Sequence, residues 1–132
     1  MVIKYDNSVS RKTMWDIILY ETVNGHCPIE QFIDSFGDTK LKAKILRDID
    51  LLEDEGNRLK APHSKSIRDS RGSLFELRSK QSTNLVRIFY YFRKEKEIIL
   101  LSGFTKKSNK TPIREIKIAF EYKRDWEERN RD

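Results

Sequence analysis

The sequence predicts an α+β fold, in which helices pack on a mostly antiparallel sheet. Apolar residues recur at helical spacing in the first half of the chain, and from residue 73 onward the period changes to two. A Thr-Pro pair then opens a last helical segment. The predicted order is β-α-α-β-β-β-α, with the helices on one face of the sheet, and 132 residues suit a single domain.

The first strand is predicted at residues 15–20, because they are mostly β-branched, apolar or aromatic. The polar residues 1–13 before it are interpreted as a flexible arm. Pro28 begins a short helix that carries apolar residues at positions i, i+3, i+4 and i+7, and Gly37 ends it.

A second helix is expected to begin at Asp38 or Thr39 and to end at Gly56, which makes a helical hairpin with the first. Its apolar stripe has to pack on another element, and the strands that follow are the obvious candidate. This stripe consists of Leu41, Ile45, Ile49 and Leu52.

Three strands follow at residues 73–80, 84–93 and 97–105, and the three-residue links between them predict antiparallel hairpins. Residues 61–65 are interpreted as the loop that leads into the sheet. Pro112 is expected at the first position of the last helix, with Thr111 as its N-cap. The charged tail at 127–132 is expected to fray.

Composition excludes several classes of protein. The single cysteine rules out a disulfide framework and a cysteine-based zinc site, and the presence of only two histidines argues against a histidine-rich metal site. No apolar run reaches the length of a membrane span, and the N-terminus lacks the apolar core of a signal peptide. We therefore expect a cytoplasmic protein without membrane contact, metal or cofactor.

Charge is divided unevenly along the chain, whose formal net charge is +6. Residues 1–56 carry 7 basic and 11 acidic side chains, whereas residues 57–132 carry 20 basic and 10 acidic ones. This asymmetry indicates a basic face for a polyanion such as a nucleic acid, while the acidic helical hairpin is a candidate surface for another partner. The alternative is a basic protein with no specific polyanion.

Two arginines on neighbouring strands are candidates for a phosphate site. Arg87 lies within the apolar strand 84–93, where a cation is costly unless it is paired or serves a site. It could pair with Glu76 across the hairpin, or it could grip a phosphate together with Arg78, because the guanidinium fork bonds two oxygens at once.

The segment after the last strand contributes a second group of candidates, Lys106, Lys107 and Lys110. Such a cluster can bind a polyphosphate chain, although lysines in loops are often simply solvated. Phe104 is either a core residue or a platform on which a base stacks. In the loop before the sheet, Lys65 and His63 are further candidates for RNA contacts, and His63 could equally be an ordinary surface residue.

The residue types predict a chemistry without metal if the protein cleaves RNA. The acidic residues lack the spacing of a metal nuclease, and neither a glycine-rich phosphate loop nor a serine or cysteine nucleophile motif is present. The RNA 2′-hydroxyl would then attack the adjacent phosphate, and the clustered cations would stabilise the oxyanion.

In this order and spacing, the motifs of residues 62–116 resemble those of the RelE/HigB toxin superfamily, most closely its HigB-like, phage-associated branch. The resemblance covers about residues 15–120. The motifs are Pro62-His63-x-Lys65, Leu74-Phe75-Glu76-Leu77-Arg78, Arg87-Ile88-x-Tyr90 and Gly103-Phe104-x-Lys106-Lys107-x-x-Lys110-Thr111-Pro112-x-x-Glu115-Ile116.

The resemblance implies a RelE-like fold and the toxin of a toxin–antitoxin pair, a metal-independent mRNA endoribonuclease that acts on the ribosome. It implies that Arg87 contacts the scissile phosphate, that Arg78 occupies the strand arginine position, and that Lys106 and Lys107 are the basic residues after the last strand. It also implies a cognate antitoxin, often a helix-turn-helix protein, through which alone operator DNA would be bound.

The chain departs from well-known members at Leu74 and Glu76, where they carry lysines, and it lacks their late tyrosine. These departures leave the proton donor and acceptor open. They also motivate a second hypothesis, a non-catalytic module that binds RNA or the ribosome on the same fold. A third hypothesis, a DNA-binding co-repressor, has little support because no helix is basic enough to read a groove.

Overall fold

The computed structural model describes residues 14–106 and 110–131, and it confirms the α+β class. A five-stranded sheet has the order β1-β5-β4-β3-β2, in which β1 is parallel to β5 and all other neighbours are antiparallel. The strands are β1 (Asp16–Leu19), β2 (Ser64–Asp69), β3 (Gly72–Gln81), β4 (Asn84–Arg93) and β5 (Glu97–Thr105); the α-helices are α1 (Pro28–Asp34), α2 (Thr39–Glu55) and α3 (Ile113–Arg129).

The helical hairpin forms as the sequence predicts. Pro28 occupies the start of α1, where its missing N–H costs nothing. Asp38 caps α2, since its carboxylate accepts hydrogen bonds from the backbone N–H groups of Lys40 and Leu41 at 2.9 and 3.2 Å. The predicted stripe of α2 is fully buried against the sheet, together with apolar residues of α1, β3, β4 and β5.

The prediction that all helices lie on one face of the sheet is wrong. Helix α3 covers the opposite face, where Ala119 and Phe120 pack with Leu74, Phe89 and other buried residues of the sheet. Strand β4 explains the difference, because residues 86–91 are buried on both sides of the strand. A sheet with two apolar faces has to be covered twice.

A further strand, β2, begins inside the predicted loop 61–65 and continues over residues for which the sequence predicted no element. It pairs with β3 over its whole length at the edge of the sheet, from Ser64 opposite Leu77 to Asp69 opposite Gly72. The segment is mostly polar and exposed, with only Ile67 carrying an apolar side chain. An exposed edge strand is held by backbone hydrogen bonds, so it need not show the alternation from which strands are predicted.

Two expectations about α3 also need correction. Pro112 is the N-cap rather than the first helical residue, and no side chain caps this helix. The helix continues to Arg129, so residues 127–129 are helical instead of frayed. Arg129 makes an ion pair with Asp125 at 2.8 Å, and Asp125 accepts a hydrogen bond from the Tyr20 hydroxyl at 2.6 Å. The arm predicted at residues 1–13 and the final residue of the tail lie outside the described residues.

Candidate functional site

The candidate site lies on the α3 side of the sheet, where β3, β4 and β5 meet. Arg78 and Arg87 face each other directly in the β3–β4 register, and Arg87 is paired in turn with Phe104 of β5. Because side chains alternate along a strand, Glu76 shares the face of Arg78. Lys106 follows the end of β5.

Glu76 is the centre of this site. Its side chain is fully buried, and its Oε1 atom lies 3.0 Å from Nε of Arg87. The same oxygen is 3.8 Å from Nε of Arg78 and 3.8 Å from Nζ of Lys106. Three cations therefore converge on one carboxylate, which leaves an excess of two positive charges.

The second carboxylate oxygen of Glu76 binds the beginning of the last helix. The hydroxyl of Thr111 donates a hydrogen bond of 2.5 Å to Oε2, which explains why this side chain does not cap α3. On the other side, the backbone N–H of Lys106 donates to the carbonyl of Leu85 at 2.7 Å. Residues 106 and 111 are thus both attached to the sheet.

Burial sets the electrostatics of the site. Arg87 is 8% exposed and Lys106 is 5% exposed. Desolvation lowers the pKa of the Lys106 ammonium; the charge of Glu76 opposes this shift, while Arg87, Lys65 and Arg78 reinforce it. Desolvation likewise lowers the pKa of the Arg87 guanidinium, against the opposing charge of Glu76. A lysine in such surroundings gives up its proton more readily than one in water.

The structure brings three of the predicted site residues together, namely Arg78, Arg87 and Lys106. The structure is compatible with both interpretations of Arg87, as a partner of Glu76 and as a phosphate ligand together with Arg78, since it contacts the first and lies beside the second. Lys107 lies outside the described residues, and Lys110 is exposed on the segment before α3.

The two candidates from the predicted loop lie next to this cluster. Lys65 is exposed on β2 and is the register partner of Glu76. His63 is exposed in the turn before β2, and its carbonyl accepts a hydrogen bond from the backbone N–H of Arg78 at 2.8 Å. Lys65 and His63 therefore extend the group of basic side chains from the cluster around Glu76 toward the edge of the sheet.

Phe104 belongs to the core. It is 7% exposed, and its ring stacks on that of Phe89 with centroids 5.4 Å apart. A ring enclosed in this way offers no face to a nucleobase, so the position of Phe104 favours the packing interpretation over that of a stacking platform.

Sequence reasoning missed the two residues that hold the cluster together. The sequence predicts Glu76 as a possible partner for Arg87 and Thr111 as a helix cap, but it does not indicate that the two side chains bind each other. A signal for Glu76 was present, because a carboxylate between Phe75 and Leu77 on a buried strand needs compensating cations. No local pattern could indicate Thr111, whose partner is 35 residues away.

Comparison with known proteins places most of the chain in one family. The family described as "Phage derived protein Gp49-like (DUF891)" matches residues 31–124, which include α2, all strands except β1, and most of α3. No curated protein shows significant similarity to the chain. Within the described ranges, no helix is both long and apolar enough to cross a membrane.

Proposed function

The chain belongs to the Gp49-like family of phage-derived proteins, a family of the RelE toxin type, and from this premise we propose that it is the toxin of a toxin–antitoxin pair. Its proposed activity is that of a ribosome-dependent, metal-independent mRNA endoribonuclease that stops translation. The observation that carries the proposal is the convergence of Arg78, Arg87 and Lys106 on one point of the sheet. Such a cluster of cations can stabilise the negative charge that builds up on a phosphate during cleavage.

In the proposed reaction, the 2′-oxygen of the RNA attacks the adjacent phosphorus atom while the bond from phosphorus to the 5′-oxygen breaks. A base takes the proton of the 2′-hydroxyl, and an acid protonates the leaving 5′-oxygen. The products are a 2′,3′-cyclic phosphate and a 5′-hydroxyl. Arg87 and Arg78 would bind the non-bridging oxygens and stabilise the pentavalent intermediate.

Lysine chemistry is consistent with the proton transfers. The lowered pKa of Lys106 brings its neutral amine closer to physiological pH, where one lysine can accept or donate a proton. Lys107 is the second candidate. Lys65, Lys110 and His63 would contact neighbouring phosphates of the mRNA.

The proposal includes the partners that a HigB-like toxin requires. A cognate antitoxin, of the helix-turn-helix type, would neutralise the protein in the cytoplasm, and operator DNA would be bound only through that antitoxin. The acidic helical hairpin is a candidate surface for it, because residues 28–56 carry 8 of the 11 acidic residues of the first half of the chain.

A second candidate function is a non-catalytic module that binds RNA or the ribosome. The burial of Arg87 and Lys106 beside Glu76 favours it, since a carboxylate already occupies the centre of the cation cluster. Such a module would bind RNA with a steep dependence on salt but would create no new RNA ends.

Inducible expression in a bacterial host, followed by mapping of new RNA ends, separates the two functions. We expect growth arrest and cuts inside translated frames. Arg87→Ala should abolish both while the purified protein keeps its circular dichroism spectrum. Arg47→Ala is the matched control, because it removes the same charge from an exposed position of α2. Toxicity of Arg87→Ala equal to that of the wild type would refute the role given to Arg87.

The chemistry of the new ends tests the metal-independent scheme without disturbing the ribosome. Attack by the 2′-oxygen leaves a 5′-hydroxyl, so the downstream fragments should be ligated to an adaptor only after treatment with a polynucleotide kinase. Fragments that carry a 5′-phosphate from the outset would contradict the scheme, because they indicate attack by water.

A further inference from the structure

The two carboxylate oxygens of Glu76 contact different groups. Oε1 faces three cations, whereas Oε2 accepts the hydroxyl of Thr111. A fully buried carboxylate is costly, and apolar residues can often replace a buried ion pair without loss of stability. The packing of β3 therefore does not by itself require a carboxylate at this position.

Two nitrogen atoms of the Arg87 guanidinium have different partners, Glu76 and the backbone of Val86. Nε of the guanidinium lies 3.0 Å from Glu76, and Nη1 donates to the carbonyl of Val86 at 3.2 Å. The guanidinium is thus held on two sides, by the carboxylate of Glu76 and by the backbone carbonyl of Val86.

The same carboxylate also contacts Lys106, which follows β5, and Thr111, which precedes α3. Nζ of Lys106 lies 3.8 Å from Oε1, and the hydroxyl of Thr111 lies 2.5 Å from Oε2. Lys106 and Thr111 are therefore both held beside the carboxylate that contacts Arg87.

We infer that Glu76 is the positioning residue of the site: it orients Arg87 and anchors Lys106 and Thr111, so that the cations approach a phosphate from fixed directions. This inference rests on the proposed function for its substrate, which is the phosphate of an RNA chain. Glu76 acts through Arg87, Lys106 and Thr111, and it need not touch the RNA.

A positioning role separates binding from cleavage. Glu76→Gln keeps the shape of the side chain but removes its charge, so RNA should bind at least as well, with a salt slope steeper by about 0.7 for one added cationic contact. Cleavage should nevertheless fall about 100-fold, because misplacement of catalytic groups by about 1 Å has this effect. Glu97→Gln is the control, since it removes a carboxylate that pairs with Arg93 at the opposite end of β5.

The anchor at Thr111 provides a second test with no change of charge. Thr111→Val should reduce cleavage about tenfold, and Thr111→Ser, which keeps the hydroxyl, should restore it. In urea unfolding, the destabilisation by Thr111→Val should be about fivefold smaller, in the equilibrium constant, in the Glu76→Met background, which has no acceptor for the hydroxyl, than in the wild type.

The outcomes distinguish the inference from the function on which it rests. If the wild type cleaves and folded Glu76→Gln cleaves equally fast, or if binding and cleavage are lost together, the positioning role is wrong. If the wild type does not cleave RNA, the proposed function fails, while the unfolding measurements still decide whether Glu76 anchors Thr111. Equal destabilisation by Thr111→Val in both backgrounds would overturn the anchor.

Discussion

Among single residues, Lys106 shows most directly how burial changes the pKa of a side chain. Its ammonium is almost completely enclosed, and two further cations share its only carboxylate contact among the described residues. An ordinary surface lysine stays charged to high pH, whereas desolvation lowers the pKa of Lys106. This shift has a consequence for stability that can be measured without any knowledge of the substrate.

The free energy of unfolding should rise with pH through the titration of Lys106. Between its lowered pKa in the folded state and the ordinary value of 10.5, the unfolded chain binds more protons than the folded one, so higher pH favours folding. At pH values below the folded-state pKa, Lys106 is charged in both states, so the cost of burying its charge no longer changes with pH. Urea unfolding at several pH values above 7 should therefore show the wild type gaining stability relative to Lys106→Met.

Lys80→Met is the control for this measurement, because Lys80 is exposed on β3 and its removal deletes the same formal charge. The gain with pH relative to Lys106→Met should exceed any change measured relative to Lys80→Met over the same range. A flat or falling difference for Lys106→Met would show that burial does not control the titration of Lys106.

Residue types alone indicated the cations of the site but not their organisation. Arg87 could be recognised because a charge inside an apolar strand demands an explanation. The burial of Lys106 and the bond from Thr111 to Glu76 depend on how β5 and α3 pack against β3, and this packing is a property of the whole fold. Sequence periodicity contains no information about such long-range pairs.

At the level of secondary structure, the junction between α2 and β1 shows how a single glycine joins two elements. Gly56 ends α2 with a φ of +52°, and the indole of Trp15, just before β1, lies against it. The backbone N–H of Trp15 also donates to the carbonyl of Glu53 at 3.2 Å. The start of the edge strand is therefore attached to the end of the helix beneath it.

We expect Gly56→Ala to reduce the free energy of unfolding by about 3 kcal/mol, through the strain of a positive φ and a steric clash. A Cβ atom at this position would lie 1.9 Å from Nε1 of Trp15. Gly25→Ala is the matched control: its φ is +85° but nothing lies within 4 Å of the added carbon, so the loss should be only about 1 kcal/mol. Equal losses in chemical denaturation would show that Trp15 does not press on Gly56.

The elements differ in how clearly the sequence predicts them. Strands β4 and β5 and helix α2 were predicted with their observed bounds, because each has strong periodicity and clear turn or cap signals at its ends. Strand β2 was missed since an exposed edge strand has no apolar alternation. The predicted placement of α3 was wrong, because periodicity shows which side of a helix is apolar but not which face of the sheet that side covers.

For the molecule as a whole, the division of charge along the chain corresponds to the two faces of the sheet. The basic second half of the chain forms the site, while the acidic first half forms the hairpin on the opposite face. If RNA is the substrate, its binding should release counterions only from the phosphates that contact the surface around Glu76. Net charge alone would instead allow any lysine of the protein to contribute.

Salt dependence distinguishes these possibilities. The logarithm of the binding constant for single-stranded RNA should fall linearly with the logarithm of salt concentration, with about 0.7 in slope for each phosphate contact. Lys65→Ala, next to the site on β2, should therefore lower the slope by about 0.7. Lys40→Ala removes the same charge from an exposed position of α2 and should leave the slope unchanged. Equal effects of the two substitutions would mean that RNA responds to net charge rather than to the surface around Glu76, and the proposed site would lose its main support.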